Sequence, residues 1–249
     1  VRRQRQMCIR DSNDNAYFQC FYTFYLLSFC GDKKYMYKYL LIDFDGTMGE
    51  TQGTIIEAFH TAIKEEGLQM PDDSDIKATI GLPLNPSFKK LFPGINDSKA
   101  DELVSLYQKF YLQKCFSTLK PMPGLVETLE ILKKEGKKMA VVSSRMTYLI
   151  VQLCDTLHIK DYFDCFIGQE LVKKPKPFKD MAELAMTVLG AYKRETIMIG
   201  DTHFDIAMGN NCGIDTCWAS YGYGKKETVE VDDPTYTIEK FSDLTKIVK

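Results

Sequence analysis

Short apolar runs that stop at polar residues recur along the chain: "KYLLID" (38–43), "KMAVVSS" (138–144), "FDCFIG" (163–168), "ETIMIGD" (195–201) and "IDTCWAS" (214–220). Each has the length of a strand and the near-continuous apolarity of one buried on both faces. Between them the period changes to that of helices. Leu125, Leu129 and Leu132 share a face before Gly136, and Leu149, Leu153 and Leu157 share another. Strands alternating with amphipathic helices predict an α/β fold with a doubly wound parallel sheet, because parallel neighbours need crossover connections. One stretch breaks the alternation. Residues 51–118 read as helical throughout, with Ile55, Ile56, Phe59, Ala62 and Ile63 on one stripe, a break at "GLPLNP" (81–86) and a long helix around "DELVSLYQKFYLQKCF" (101–116). An all-helical insertion placed directly after the first strand predicts a cap over that strand's carboxyl end. "KPMPG" (120–124) reads as the hinge back into the sheet domain. The expected domains are therefore a core of residues 36–50 and 119–249, and a cap of residues 51–118.

Composition is that of an ordinary globular protein: 249 residues, 45% hydrophobic and 27% charged. With 32 basic against 34 acidic residues and no basic run in the main body, no nucleic-acid surface is expected. The expected partner is a small molecule, with the chain a monomer or homodimer. The eight cysteines contain no C-x-x-C pair, which argues against a zinc site or disulfide framework and for a reducing, cytoplasmic setting. A basic start, the apolar stretch Tyr17–Cys30 and "LSFCG" around Cys30 could form an export signal. However, that stretch is too short to span a bilayer and is interrupted by Gln19, Thr23 and Ser28. Arg2–Asp11 instead matches the translation of a transposase adapter used for sequencing libraries. Residues 1–35 are thus expected to be non-native, adapter followed by translated upstream sequence, with the natural start at Met36.

Ligands of open parallel sheets gather at the carboxyl ends of the strands. There the first strand ends in Asp43 and Asp45, the second in Ser143 and Ser144, the third is followed by "KKPKP", and the fourth runs into "GDTHFD" with Asp201 and Asp205. Carboxylates, hydroxyls and a lysine converging on one crevice suit phosphoryl transfer to an aspartate beside a Mg²⁺ ion. Asp43 and Asp45 are two apart on an extended chain, so both can face the crevice while Phe44 turns into packing.

These four motifs together, D-x-D-G-T (43–47), the apolar run ending at Ser143, K-P-x-P (174–177) and G-D-x-x-x-D (200–205), resemble those of the haloacid dehalogenase-like phosphohydrolases with a helical cap. "IGLPL", "PMPG" and "ASYGYG" resemble the phosphoglycolate phosphatase-like group in particular. The resemblance spans residues 36–249. It implies a Rossmann-like core of strand order 5-4-1-2-3 and a Mg²⁺-dependent phosphatase acting on a small phosphorylated metabolite through an aspartyl-phosphate. By resemblance, Asp43 is nucleophile and metal ligand, and Asp45 is general acid and base and a metal ligand through its carbonyl. Ser143, Ser144, Thr47 and Lys174 bind phosphate, Asp201 binds the metal, and Asp205 ligates it or steadies its waters or Lys174. The chain departs from the commoner D-G-T-L-x-D-S at Met48, Glu50 and Thr51, and has Phe178 where the family often carries an acid. Asp45 argues against true dehalogenase chemistry. Alternatives are a β-phosphoglucomutase-like phosphotransferase, disfavoured because Gly200 stands where that group usually has Glu, a pyrophosphatase, and a catalytically silent binding protein. Selectivity is expected in residues 79–90. Lys89 and Lys90 could attract a second anion there, although a solvated helix face is the stronger reading. The aromatics at 107, 110, 111 and 116 are expected in the cap core.

Overall fold

The computed structural model describes residues 36–249. The adapter match, the export alternative and the preceding segment lie outside the described residues. From β1 (Tyr39–Ile42) and β2 (Gly49–Glu50) the chain enters four helices, α1 (Gln52–Glu65), α2 (Asp73–Lys77), α3 (Leu84–Leu91) and α4 (Asp97–Thr118), and returns through β3 (Lys120–Pro121). Then follow α5 (Leu125–Lys134), β4 (Lys138–Val142), α6 (Thr147–Thr156), β5 (Cys165–Ile167) and α7 (Asp180–Leu189). β6 (Thr196–Gly200), α8 (His203–Cys212), β7 (Asp215–Ala219), α9 (Lys226–Val229), β8 (Tyr236–Ile238) and α10 (Leu244–Ile247) complete it.

The main sheet has the order β5-β4-β1-β6-β7-β8, with every pair parallel. Numbered within the core, its first five strands give the expected 5-4-1-2-3. β8, only three residues long and preceded by Pro234, is a sixth strand that the apolar pattern did not announce.

The alternation of side chains explains why the central strands are apolar throughout. Leu40, Ile42, Met139, Val141, Ile197 and Ile199 join the core on one face, packed by Leu125, Leu129 and Leu132 of α5 and Leu149 and Leu153 of α6. Leu41, Ala140, Val142 and Met198 join the other, packed by Met181 and Ala185 of α7 and Met208 of α8. Leu41 has no solvent exposure, so its truncation to Ala would cost about 2–5 kcal/mol.

Within the helical insert, α1, α3 and α4 close around Phe59, whose ring lies 4.9 Å from both Phe88 and Tyr107. The two chain crossings into and out of the insert are strapped together where β2 pairs antiparallel with β3. Among the described residues, no helix is long and apolar enough to cross a membrane, and the five cysteines found there are unpaired.

Candidate active site

β1 delivers Asp43 to the carboxyl edge of the sheet, and the next turn must be tight. Gly46 makes it possible, at φ +77°, with a position whose Cβ would fall 2.2 Å from Asp201 Oδ2. No side chain fits there, and the conformation itself is one that L-residues avoid.

Asp43, Asp201 and Asp205 form a buried cluster with one carboxylate oxygen from each within 4.8 Å of the others. Lys176 enters it, donating to Asp43 Oδ1 at 2.6 Å and Asp205 Oδ1 at 2.5 Å with only 2% of its side chain exposed. Burial, reinforced by the neighbouring Asp205 and Asp45 and opposed by Lys176, pushes the Asp43 carboxyl up. Burial followed by Asp205 and Asp43 does the same to Asp201. For Lys176 burial acts downward, but the charges of Asp205 and Asp43 outweigh it and the ammonium is held more firmly than usual.

Asp201 Oδ2 accepts from the Tyr223 N–H at 2.6 Å, while its Oδ1 has only the Thr47 hydroxyl at 3.4 Å. Asp205 Oδ2 accepts from the Thr202 N–H and hydroxyl, closing a capping box on α8. Both its oxygens are thereby engaged. Asp43 Oδ2 has no hydrogen-bond partner among the described residues. Three buried carboxylates against one ammonium leave two negative charges uncompensated, the charge of one divalent cation, and the hard oxygen donors match Mg²⁺.

Lys174 is not where the motif reading put it. Its side chain is exposed, with Nζ 5.4 Å from the Phe178 ring centroid, and the lysine that meets Asp43 is Lys176. The segment contains two consecutive Lys-Pro dipeptides, Lys174-Pro175 and Lys176-Pro177, and counting from Lys174 sets the frame two residues early. The apparent anomaly at Phe178 was the missed signal, because counted from Lys176 the acidic residue is Asp180. Thr47 is buried, and its hydroxyl donates to Asp201 Oδ1 at 3.4 Å.

Ser143 is buried, and its hydroxyl accepts from the Arg145 N–H at 3.3 Å. Ser144 donates its hydroxyl to the Gly81 carbonyl at 2.6 Å, tying the core to the insert. Asp45 lies apart from the acidic cluster in its contacts. Thr51 donates to its Oδ1 at 2.6 Å, and Arg145 grips both oxygens, Nε to Oδ2 at 2.6 Å and Nη2 to Oδ1 at 2.8 Å. Arg145 was missed in the sequence, although it follows the paired serines at a strand end.

A cavity with about 90 Å³ open to the centres of water-sized molecules lies between sheet edge and insert, lined by Asp43, Asp45, Ser143, Arg145 and, from the insert, Gly81 and Tyr111. Thr79, Ile80, Leu82 and Leu84 also reach its wall, whereas Asn85 turns away to Asp101. Lys89 pairs with Asp97, and Lys90 donates to the Ala78 carbonyl, so both lysines are engaged on the exposed side of the insert. Of the four aromatics expected in the cap core, Tyr107 and Tyr111 are buried and line the cavity. Phe110 is half-buried and Phe116 exposed.

The chain is 31% identical over 209 residues to a pyrophosphatase of Halalkalibacterium halodurans, covering 84% of this chain and 95% of that one. It is 30% identical, with the same coverage, to a phosphoglycolate phosphatase of Aquifex aeolicus. A Bacteroides fragilis crystal structure described as a haloacid dehalogenase-like hydrolase superposes with a TM-score of 0.80 at 25% identity, covering 84% of this chain and 99% of its own. The profile of haloacid dehalogenase-like hydrolases matches residues 40–219, the span that carries Asp43, Lys176 and Asp201, and the chain belongs to that family.

Proposed function

We propose that the protein is a cytoplasmic, Mg²⁺-dependent phosphatase that hydrolyses small organic phosphomonoesters through a phosphoryl group carried transiently on Asp43. The observation that carries this reading is the buried set of Asp43, Lys176, Asp201 and Asp205 opening through Asp43 onto the cavity. Asp43 offers one oxygen free of hydrogen bonds. That oxygen attacks phosphorus as the ester P–O bond breaks, its electron pair leaving with the alcohol oxygen, which takes a proton from Asp45. Water then gives a proton to Asp45 and attacks phosphorus, releasing phosphate and restoring the Asp43 carboxylate.

Lys176 holds Asp43 in place and offsets negative charge, and Asp205 orients Lys176 through its other contact. The Ser143 hydroxyl and the backbone N–H of Ser144 are suited to donate to the phosphoryl oxygens. Asp43, Asp201 and the Asp45 carbonyl would hold Mg²⁺, which supplies further neutralisation of the phosphoryl charge when bound. Asp205, with both oxygens engaged, is assigned to positioning rather than direct ligation.

A phosphotransferase with Glu before Asp201 has no counterpart here. A side chain at Gly200 would meet Asp205 Cβ at 2.3 Å, which supports hydrolysis over transfer. The unpaired cysteines of the described residues fit a cytoplasmic setting. The relatives named above act on phosphoglycolate and on pyrophosphate by their names; the first is a candidate substrate of this reading, and the second is the alternative, a phosphoanhydride in place of an ester. Steady-state hydrolysis of p-nitrophenyl phosphate with Mg²⁺ and with EDTA tests the proposal. Turnover that requires the metal is expected; equal rates in both, or none with Mg²⁺, would overturn it.

A further inference from the structure

Among the described residues, Arg145 is the one cation lining the cavity. Its side chain is only 11% exposed, it grips Asp45 through both oxygens, and its guanidinium lies 4.3 Å from the Tyr111 ring centroid. With Thr51 also donating to Asp45, both oxygens of that carboxylate are taken up in this arrangement. The residue assigned to the leaving group is therefore held by a partner that something must displace.

A second, independent feature lies beside it. The Tyr111 hydroxyl is buried on a residue 2% exposed and has no hydrogen-bond partner, the one such side-chain atom among the described residues. Leaving a buried hydroxyl unpaired costs about 1–3 kcal/mol, and Tyr111 is among the residues that line the cavity. A guanidinium fork presents paired donors matched to a carboxylate or phosphoryl group, and a hydroxyl adds a third. Neither Lys89 nor Lys90 competes for that task, since both are engaged outside the cavity.

We propose that Arg145 and the Tyr111 hydroxyl form a subsite for a second anionic group, carboxylate or phosphoryl, on the leaving-group side of the substrate. That anion takes Arg145 from Asp45 and frees Asp45 to turn to the reacting centre. This inference rests on the phosphatase reading for its substrate, and it adds a condition: a phosphomonoester with an uncharged leaving group of the same size leaves Asp45 held. Selection then occurs by exchange of partners on one arginine, so substrate recognition and release of the acid are the same event.

The test uses the full chain with Mg²⁺ and non-hydrolysable probes, so that binding is read apart from turnover. Calorimetry compares phosphonoacetate and methylenediphosphonate, which carry a second anion, with ethylphosphonate, which does not. One of the two probes with a second anionic group is expected to bind about 10- to 100-fold more tightly than ethylphosphonate, the span of a charged hydrogen bond, and which one identifies the second anion as carboxylate or phosphoryl. Arg145→Met should bring that ratio to within about threefold, Arg145→Lys should restore part of it, and Tyr111→Phe, which keeps the packing, should lower it by a smaller factor. In kinetics, 2-phosphoglycolate or pyrophosphate should lose more kcat/KM in Arg145→Met than 2-hydroxyethyl phosphate does. A ratio near one in the unmodified protein, or equal losses for all ligands in Arg145→Met and none in Tyr111→Phe, would overturn the subsite. Discrimination between probes without Mg²⁺-dependent hydrolysis of 2-phosphoglycolate, pyrophosphate or p-nitrophenyl phosphate would uphold the subsite while sinking the phosphatase reading.

Discussion

Replacing Lys176 by Met should be among the most damaging single changes in the core, and replacing Lys174 by Met among the mildest. Lys176 Nζ donates to Asp43 at 2.6 Å and Asp205 at 2.5 Å, and its side chain is 2% exposed. Methionine fills much of the stem's volume but leaves two buried carboxylates without their cation. Breaking a buried ion pair from one side costs about 3–5 kcal/mol. For a protein of this size each kcal/mol lowers Tm by about 2–4 °C, so the metal-free variant should melt about 6–20 °C lower. Lys174 is exposed, and its approach to Phe178 is a cation–π contact of about 0.5–1 kcal/mol at an exposed site, a shift of at most a few degrees. The assay is thermal unfolding of both variants in EDTA, followed by kcat/KM on p-nitrophenyl phosphate with Mg²⁺. Loss of one preorganised charge at a reacting phosphoryl group should cost Lys176→Met about 10²- to 10³-fold, and Lys174→Met little. A variant pair that behaved in the opposite sense, with Lys174→Met inactive and Lys176→Met stable and active, would refute the assignment.

Gly46→Ala should lower stability by about 1–3 kcal/mol, because it combines a positive φ with a clash at Asp201; refolding to full Tm and activity would contradict the geometry. The metal-free protein should lose stability as pH rises from about 4 to about 7. Burial lifts Asp43 from an unfolded value near 4 to about 7 in the folded state, so across that window the folded form binds the extra proton and the penalty is complete above it. Asp43→Asn should flatten this slope and excess Mg²⁺ should offset it; an identical slope in the variant would show that Asp43 does not carry the effect.

The alternation of apolar strands and amphipathic helices carried the layering of the sheet because each central strand is buried on both faces, and such runs are hard to mistake when helices separate them. β8 escaped because three residues after a proline make no run. Asp43, Asp45, Ser143 and Asp201 were legible since a motif at a strand end fixes where its backbone sits. Lys176 was not: two Lys-Pro dipeptides offered two frames, and only the path of the chain decides which ammonium is buried. Arg145 and Tyr111 were further out of reach. Nothing local to either residue says that a helix of the insert brings a tyrosine ring against a guanidinium from the core. The partners of Asp45 likewise come from positions six and a hundred residues away.

The central claim is that phosphoryl transfer passes through Asp43, and its most direct test is acid quench of the Mg²⁺-loaded protein during turnover of a radiolabelled phosphomonoester, followed by peptide mapping. The label should reside on the peptide containing Asp43, and both label and turnover should vanish in Asp43→Asn while the fold is retained. Turnover that persists in Asp43→Asn, or label mapped to a different peptide, would contradict the account.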